Sequence, residues 1–388
     1  MPSCPPLKYA LAGLAACMAC KVTTAAQWSF QPSIDWKEDY DSNRRLAASN
    51  EVPSDGTWLT ADATLSRITE STEWDFVPHL QAQRFGGDSA LDANNYSLNG
   101  AFQGHTELFT LTASGGYEHA STLIAEPSDT GIIDASTARD TGSGRLVLGH
   151  DFTERQHMDV QAAYADVTYP GGSTVGLVGY RYTSAATVYT FKLSALTALS
   201  ATGYGDWLTA PVTGYVSRDS GATLGVTYSP SERVSFTASA GGSSSTVNSV
   251  VGHGAVFGLQ ASRNYELSQL SLSYNRSLQP SGLGFLVRRD QLLFSLNQNI
   301  APKLFATATV QGVLNHDLTT GPYLDIPRYF TGDAGLQWRA SDQWTINLTA
   351  GATFVREPAT YQNINQTAKG WHAALDTRWA LFPRSVSR

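Results

Sequence analysis

The chain has little charge, few cysteines and no long apolar run after its N-terminus. Charged residues make up 15% of its 388 residues, well below the roughly 25% of ordinary globular domains. The mean hydropathy is −0.19, and no apolar run approaches the roughly 18 residues that a transmembrane helix needs. These absences exclude a helical membrane protein. The net charge of −7 is spread along the chain without a basic cluster, which argues against a nucleic-acid partner.

All three cysteines lie near the N-terminus, in a segment that has the pattern of a secretory signal. Lys8 supplies a positive start, residues 9–20 are apolar, and Thr24-Ala25-Ala26 forms a small-residue cleavage site. We therefore expect a signal peptide over 1–26 and a single barrel domain over 27–388. Residues 14–17 also resemble a lipobox, which leaves lipidation of Cys17 as an alternative. The chain after Ala26 contains no cysteine, so disulfides, cysteine-ligated zinc sites and cysteine catalysis are excluded there.

The remaining sequence alternates apolar with polar or small residues over stretches of about ten to fourteen residues. In the stretch from Trp344 to Phe354, Ile346 and Leu348 fall on one face, while Asn347 falls on the other. A period of two indicates a strand with different environments on its two faces. Membrane-spanning strands need about 9–11 residues. The pattern therefore predicts an antiparallel outer-membrane β-barrel, with lipid outside and a wet lumen inside.

The alternation predicts eighteen strands, or sixteen if one hairpin is miscounted. Short connections are expected near Glu70, Ala185 and Ser341, among others. The expected long connections are 39–56, 119–139, 200–213, 316–327 and 356–368. Outer-membrane barrels have short periplasmic turns and longer external loops. The order of long and short connections therefore predicts that both termini lie in the periplasm.

The phase of each strand divides its polar side chains from its apolar ones. The expected lumen-lining residues are Asp35, Asp62, Asp75, His79, Gln81, Arg145, Asp159, Lys192, Asp333, Gln337, Arg339, Asp376 and Arg378. Lining charges tune which solutes pass through a pore; alternatively, these groups pair with one another and confer no selectivity. Aromatic side chains beside short turns predict a membrane-boundary girdle, and its members are Trp74, Phe152, Tyr182, Tyr228, Trp338, Trp344, Trp379 and Phe382.

The end of the chain has the pattern of a last barrel strand. Residues 371–382 alternate and close on Trp379 and Phe382, although a tail follows from Pro383. The segment resembles the C-terminal strand signal of outer-membrane barrels, and this resemblance implies recognition by the barrel-assembly machinery.

Two further features are similar to a known group of proteins. The segment from Pro32 to Asn43 and the hairpins at 228–234 and 338–344 resemble those of Gram-negative outer-membrane barrels. Within these barrels they are similar to the group found with exopolysaccharide-biosynthesis and exosortase (PEP-CTERM) systems. The resemblance implies contact with outer-membrane lipid and a link to polysaccharide or another polar solute.

Candidate chemistry is sparse. His119 and Ser121 are similar in spacing to the His and Ser of outer-membrane phospholipases, but no acid or amide partner is evident in the sequence. No His pair has metal-ligand spacing with a supporting carboxylate. We therefore expect no catalytic residues, no metal and no cofactor.

The sequence thus predicts a passive channel or envelope component that is linked to exopolysaccharide export. One alternative is a structural or adhesive barrel with a closed lumen; another is an outer-membrane lipid hydrolase. The loop 120–139, with Glu126, Asp129 and Asp134, either folds into the pore or stands outside it.

Overall fold

The computed structural model describes residues 26–47, 49–125, 137–172, 176–247, 249–316, 328–357, 366–381 and 384–387. Extended strands account for most of these residues. The strands are β1 Gln27–Asp41, β2 Ser54–Ile68, β3 Thr72–Gly86, β4 Ala93–His105, β5 Phe109–Ser121, β6 Ala138–Thr153, β7 Gln156–Thr168, β8 Tyr180–Lys192, β9 Thr197–Ala210, β10 Tyr215–Ser231, β11 Val234–Val247, β12 Val250–Asn264, β13 Ser268–Pro280, β14 Leu286–Ala301, β15 Leu304–His316, β16 Arg328–Arg339, β17 Trp344–Glu357, β18 Gln366–Ala380 and β19 Arg384–Ser387.

Helical structure is confined to two short pieces in the described ranges. A 3₁₀ turn covers Ser89–Leu91, and the helix α1 covers Thr122–Ala125. Neither of them, nor any other helix in the described part of the chain, is long and apolar enough to cross a membrane.

The strands close into a barrel. Each of β1 to β18 pairs antiparallel with its sequence neighbours, and β1 pairs with β18 to complete the ring. At this seam Asp35 is opposite Arg378, and the short β19 extends the pairing by lying against Gln27–Phe30. Ring closure leaves neither the first nor the last strand as a free edge, so most backbone hydrogen bonds of the wall are satisfied within the protein. The prediction of an eighteen-stranded antiparallel barrel is confirmed.

The outer face of the barrel is apolar and exposed. On β17 the side chain of Leu348 is 54% exposed and that of Phe354 is 45% exposed. Asn347, one position away on the opposite face, donates a hydrogen bond from Nδ2 to Asp376 Oδ2 at 2.9 Å. Large exposed apolar side chains recur on the outer face of the other strands, for example Leu80 on β3 and Leu224 on β10. A closed barrel with this surface is of the outer-membrane type, with its apolar band in lipid.

Aromatic rings collect at the end of the barrel that carries the short turns. Trp344 and Trp379 stack with ring centroids 5.8 Å apart, and Trp74 lies 4.5 Å from Phe102. Trp338 and Tyr228 are also on the outer face there, about half exposed, which is the position of an aromatic girdle at a lipid boundary.

The short turns are held by local hydrogen bonds. In the turn before β3, the Thr69 Oγ1 accepts from the backbone N–H of Thr72 at 3.0 Å. In the turn before β17, the Ser341 Oγ accepts from the backbone N–H of Trp344 at 3.1 Å. Side-chain oxygens that replace backbone acceptors favour tight turns over continued strand.

Two connections differ from the sequence prediction. The expected turn at Ala185 is wrong, because β8 continues to Lys192 and the turn follows at 193–196. The expected loop 200–213 is also largely wrong, because β9 occupies most of it and pairs along its length with β10. The small residues that suggested a loop, such as Gly203 and Gly205, are held in the sheet by hydrogen bonds from both neighbouring strands, which local composition does not reveal.

Candidate functional site

One part of the inner wall carries paired charges around the β18–β1–β2–β3 seam. The Asp62 carboxylate lies 2.6 Å from His79 Nδ1, and Arg378 Nε is 3.8 Å from Asp35 Oδ1. Both pairs come from neighbouring strands and lie on the face opposite the exposed apolar side chains. Farther along β18, His372 Nε2 is 2.7 Å from an Asp333 oxygen, with β17 between them. Cross-strand register therefore brings acids and bases together on the lumen side.

A second charged group lies on β6 and β7. His157 bridges two carboxylates, with Nδ1 2.8 Å from Asp151 and Nε2 3.0 Å from Asp159. Arg145 donates from Nη2 to Gln161 Oε1 at 2.8 Å. Because these side chains contact one another, fewer unpaired charged groups face the lumen.

The other residues expected to line the lumen occupy the same inner face at different heights. Asp75 accepts a hydrogen bond from the Ser66 hydroxyl, and Gln81 donates to Thr60 at 3.2 Å. Gln337 lies two residues before the short-turn end of β16. Lys192 and Arg339 end their strands at the short-turn side, where the Arg339 guanidinium lies 4.4 Å from the Phe305 ring centroid.

The inner face of β11, β12 and β13 is neutral and rich in hydroxyl groups. Along these three strands, all of them within the described ranges, the inward positions carry no charged side chain. Thr227 and Thr237 hydroxyls lie 3.2 Å apart, and those of Ser271 and Ser295 lie 2.7 Å apart. The lumen thus has a charged part and a hydroxyl-lined part.

The hairpin between β13 and β14, residues 277–289, folds into the mouth of the barrel; we call it the mouth hairpin. The β12–β13 pairing ends at Phe257 opposite Arg276, whereas β13 and β14 remain paired beyond that point. An added Cβ at Gly254, on the inner face of β12, would collide with the Arg288 guanidinium. The hairpin therefore leaves the wall and lies against its inner side.

The tip of the mouth hairpin packs against β8, β9 and the loop before β8. Val178 donates its backbone N–H to the Gly282 carbonyl at 2.8 Å. Leu286 is buried in one apolar cluster with Leu208. Gly284 has a φ of +83°, and a Cβ there would lie 3.1 Å from the Ala210 Cβ, so this close approach requires glycine.

An acidic residue fixes the base of the mouth hairpin. Asp290 is 5% exposed and accepts from Arg276 Nη2 at 2.6 Å and from the Tyr274 hydroxyl at 2.9 Å. His316 Nε2 is also 2.9 Å from it. The bidentate arginine and two further partners anchor the point where the hairpin bends away from the wall.

Sequence reasoning missed two acids near the mouth, Asp219, which is buried, and Asp206, which is half-buried. Asp206 accepts a hydrogen bond from the Tyr182 hydroxyl at 2.7 Å, and Asp219 lies opposite it in the β9–β10 register. The assignment of Tyr182 to the outer girdle is wrong, because the misplaced turn at Ala185 put it at the wrong end of a strand. The alternation of Tyr204, Asp206 and Leu208 was the available signal.

The His119 and Ser121 pair is arranged differently from the phospholipase pattern. His119 does have an acidic partner, since its Nδ1 lies 2.6 Å from Asp140 on β6. Ser121 is buried, and its Oγ accepts from the backbone N–H of Leu123 at 3.4 Å. In the described residues the serine thus supports the start of α1, and no hydrogen bond joins it to His119.

Several sequence expectations lie outside the described residues. They concern Cys17, Phe382 and the acidic loop residues Glu126, Asp129 and Asp134. Within the described ranges, no group of three or more His, Cys, Asp or Glu side chains is placed to hold a metal ion.

Comparisons with known proteins give similarity at the level of solved structures only. No family model matches the chain, and no curated protein matches it. Acinetobacter baumannii OccAB1 aligns with 10% identity and a TM-score of 0.48, covering 92% of this chain and 97% of its own. Pseudomonas aeruginosa OccK2 (OpdF) in complex with glucuronate aligns with 10% identity and a TM-score of 0.49, covering 92% of this chain and 98% of its own. P. aeruginosa OpdK aligns with 10% identity and a TM-score of 0.47, covering 92% of this chain and 99% of its own. At these values the fold assignment rests on the strand pairing described above.

Proposed function

We propose that the protein is a passive outer-membrane channel for polar solutes. The observation that carries this proposal is the division of the wall, apolar and exposed outside, polar and partly charged inside. Barrels of 16–18 strands enclose an aqueous interior. A wall of carboxylates, hydroxyls and amides replaces part of a solute's hydration, so polar solutes can enter such a lumen.

The inner wall favours cations over anions weakly. Inward acids include Asp35, Asp62, Asp75 and Asp159, and several of them are paired with His or Arg in the structure. Because these carboxylates are paired with bases, the negative potential in the lumen is reduced. We therefore expect a modest preference for cations rather than strict selection against anions. Charges on a narrow wall act through a medium that screens them less than bulk water does.

The finer proposal is that the transported solute is a polysaccharide or another polar polymer. The hydroxyl-lined inner face of β11 to β13 supports this, because neutral donors and acceptors suit sugar hydroxyls without trapping them by charge. The similarity of segments such as Pro32–Asn43 to exopolysaccharide-associated barrels points the same way. We further propose that the barrel-assembly machinery recognises the last strand, through Trp379 and Phe382.

Planar-bilayer recording of the refolded chain tests the channel. We expect stepwise conductance, a small shift of reversal potential towards cation preference in a salt gradient, and transient block by oligosaccharides added to one side. If oligosaccharides leave the conductance unchanged, the proposal of a polymer substrate is contradicted, while the proposal of a channel still stands.

A structural or adhesive barrel is the second candidate, and the mouth hairpin favours it. The buried contact of Leu286 with Leu208, together with the Val178–Gly282 hydrogen bond, closes part of the mouth. A correctly folded protein that never conducts would favour this role over transport.

A further inference from the structure

Three basic side chains lie on the outer face of β16, β17 and β18, at the end of the barrel opposite the short turns. Arg328 and Arg356 are directly opposite each other, and Lys369 is opposite Phe354. All three are exposed. We call Arg328, Arg356 and Lys369 the outer basic cluster.

The outer basic cluster sits just above the apolar band. Phe330 and Phe354, each two positions from an arginine on the same face, have ring centroids 6.3 Å apart. Two residues of a tilted strand rise about 5 Å along the membrane normal. The cationic groups are thus at the level where apolar contact ends and lipid headgroups begin.

The arrangement has an electrostatic cost. Like charges directly opposite each other in a sheet are destabilising, and Arg328 and Arg356 have this relation. In the described ranges, no salt bridge joins any of the three side chains to a carboxylate. An anion outside the chain would offset this repulsion.

The opposite side of the barrel shows the contrasting arrangement. There the outward bases of β5 and β8 have acidic partners on the adjacent strand: His119 lies 2.6 Å from Asp140, and Arg181 lies 3.3 Å from Asp166. At this height His119 and Arg181 thus each have an acidic partner, whereas among the described residues the outer basic cluster has none.

We propose that the outer basic cluster binds the phosphate groups of a phosphorylated glycolipid in the outer leaflet. Arginine forks match phosphate oxygens in bidentate geometry, while Phe330, Phe354 and the exposed Trp371 offer apolar surface to the acyl chains directly below. This site is on the outer wall and does not depend on whether the lumen conducts.

The test uses the full refolded chain in detergent, titrated with diphosphoryl lipid A and followed by native mass spectrometry. The variant R328Q/R356Q should bind diphosphoryl lipid A roughly tenfold or more weakly, since two charge-assisted contacts are lost. Dephosphorylated lipid A should bind the unmodified protein as weakly as it binds the variant.

A matched control removes two outward arginines at the short-turn end. R67Q/R263Q takes away the same charge beside Trp28 and Tyr265 and should leave lipid A binding unchanged. Heat-modifiable gel migration checks that each variant folds; if the arginine pair proves necessary for folding, Lys369→Gln serves instead, with a smaller loss.

Three results would overturn the proposal. They are equal binding of lipid A by the protein and R328Q/R356Q, an equal loss in the control variant, and equal affinity for phosphorylated and dephosphorylated lipid. A fourth result, complete competition by inorganic phosphate at the concentration of the lipid, would show a general anion site and would also reject the glycolipid assignment.

Discussion

Replacement of Leu348 by arginine places a charge on the lipid face of β17. Leu348 is four residues from Trp344 and six from Phe354, the two aromatic side chains that bound the apolar band on this strand. With a rise of about 3.3 Å per residue and a tilt of about 40°, it lies about 10 Å from one boundary and about 15 Å from the other. These distances place it close to the bilayer midplane.

An arginine near the midplane costs roughly 2–4 kcal/mol of folding free energy. Asn347→Arg places the same side chain one residue away, on the lumen side and beside the Asp376 carboxylate that Asn347 contacts at 2.9 Å. Water and a nearby anion are available there, so this matched control should change stability by no more than about 0.5–1 kcal/mol.

Urea unfolding in phospholipid vesicles, followed by tryptophan fluorescence, measures the difference between the two variants. Leu375→Arg is a second test, because Leu375 is opposite Leu348 in the β17–β18 register and also faces outward; it should match the large loss. Equal losses for Leu348→Arg and Asn347→Arg would refute the assignment of faces.

Three further predictions concern the lumen and its mouth. Replacing Asp62, Asp75 and Asp159 together by asparagine should lower the cation preference in planar bilayers, because fewer inward carboxylates remain; an unchanged reversal potential would contradict the proposed lining. Gly284→Val should displace the mouth hairpin and raise single-channel conductance, since its side chain would meet Val178 and Ala210; unchanged conductance would show that the hairpin does not restrict the pore. Asp290→Asn should cost about 2 kcal/mol in urea unfolding, because charge-assisted hydrogen bonds to a buried carboxylate are weakened; a loss below about 0.5 kcal/mol would contradict its anchoring role.

The sequence by itself determined the fold class and the division of most strands into two faces, and it left the number of strands at eighteen or sixteen. Leu348 and Asn347 are adjacent in sequence and face opposite environments, and this follows from the two-residue period of a strand alone. In a membrane barrel the faces of the strands can be predicted from sequence, because lipid imposes one apolar face on nearly every strand. The predicted turn at Ala185 is wrong because the prediction relied on local sequence alone. Small residues in 200–213 weaken the apolar–polar alternation there, although β9 follows it.

Only the tertiary structure decided which side chains meet. The ends of the chain form one seam, with Asp35 opposite Arg378, and their pairing depends on closing the whole ring. The inward fold of the mouth hairpin depends on the fit of Gly284 against Ala210, and the opposition of Arg328 and Arg356 depends on the register of two strands. Local alternation fixes the face on which a side chain lies, but non-local pairing and close packing fix its neighbours, and those neighbours determine the site.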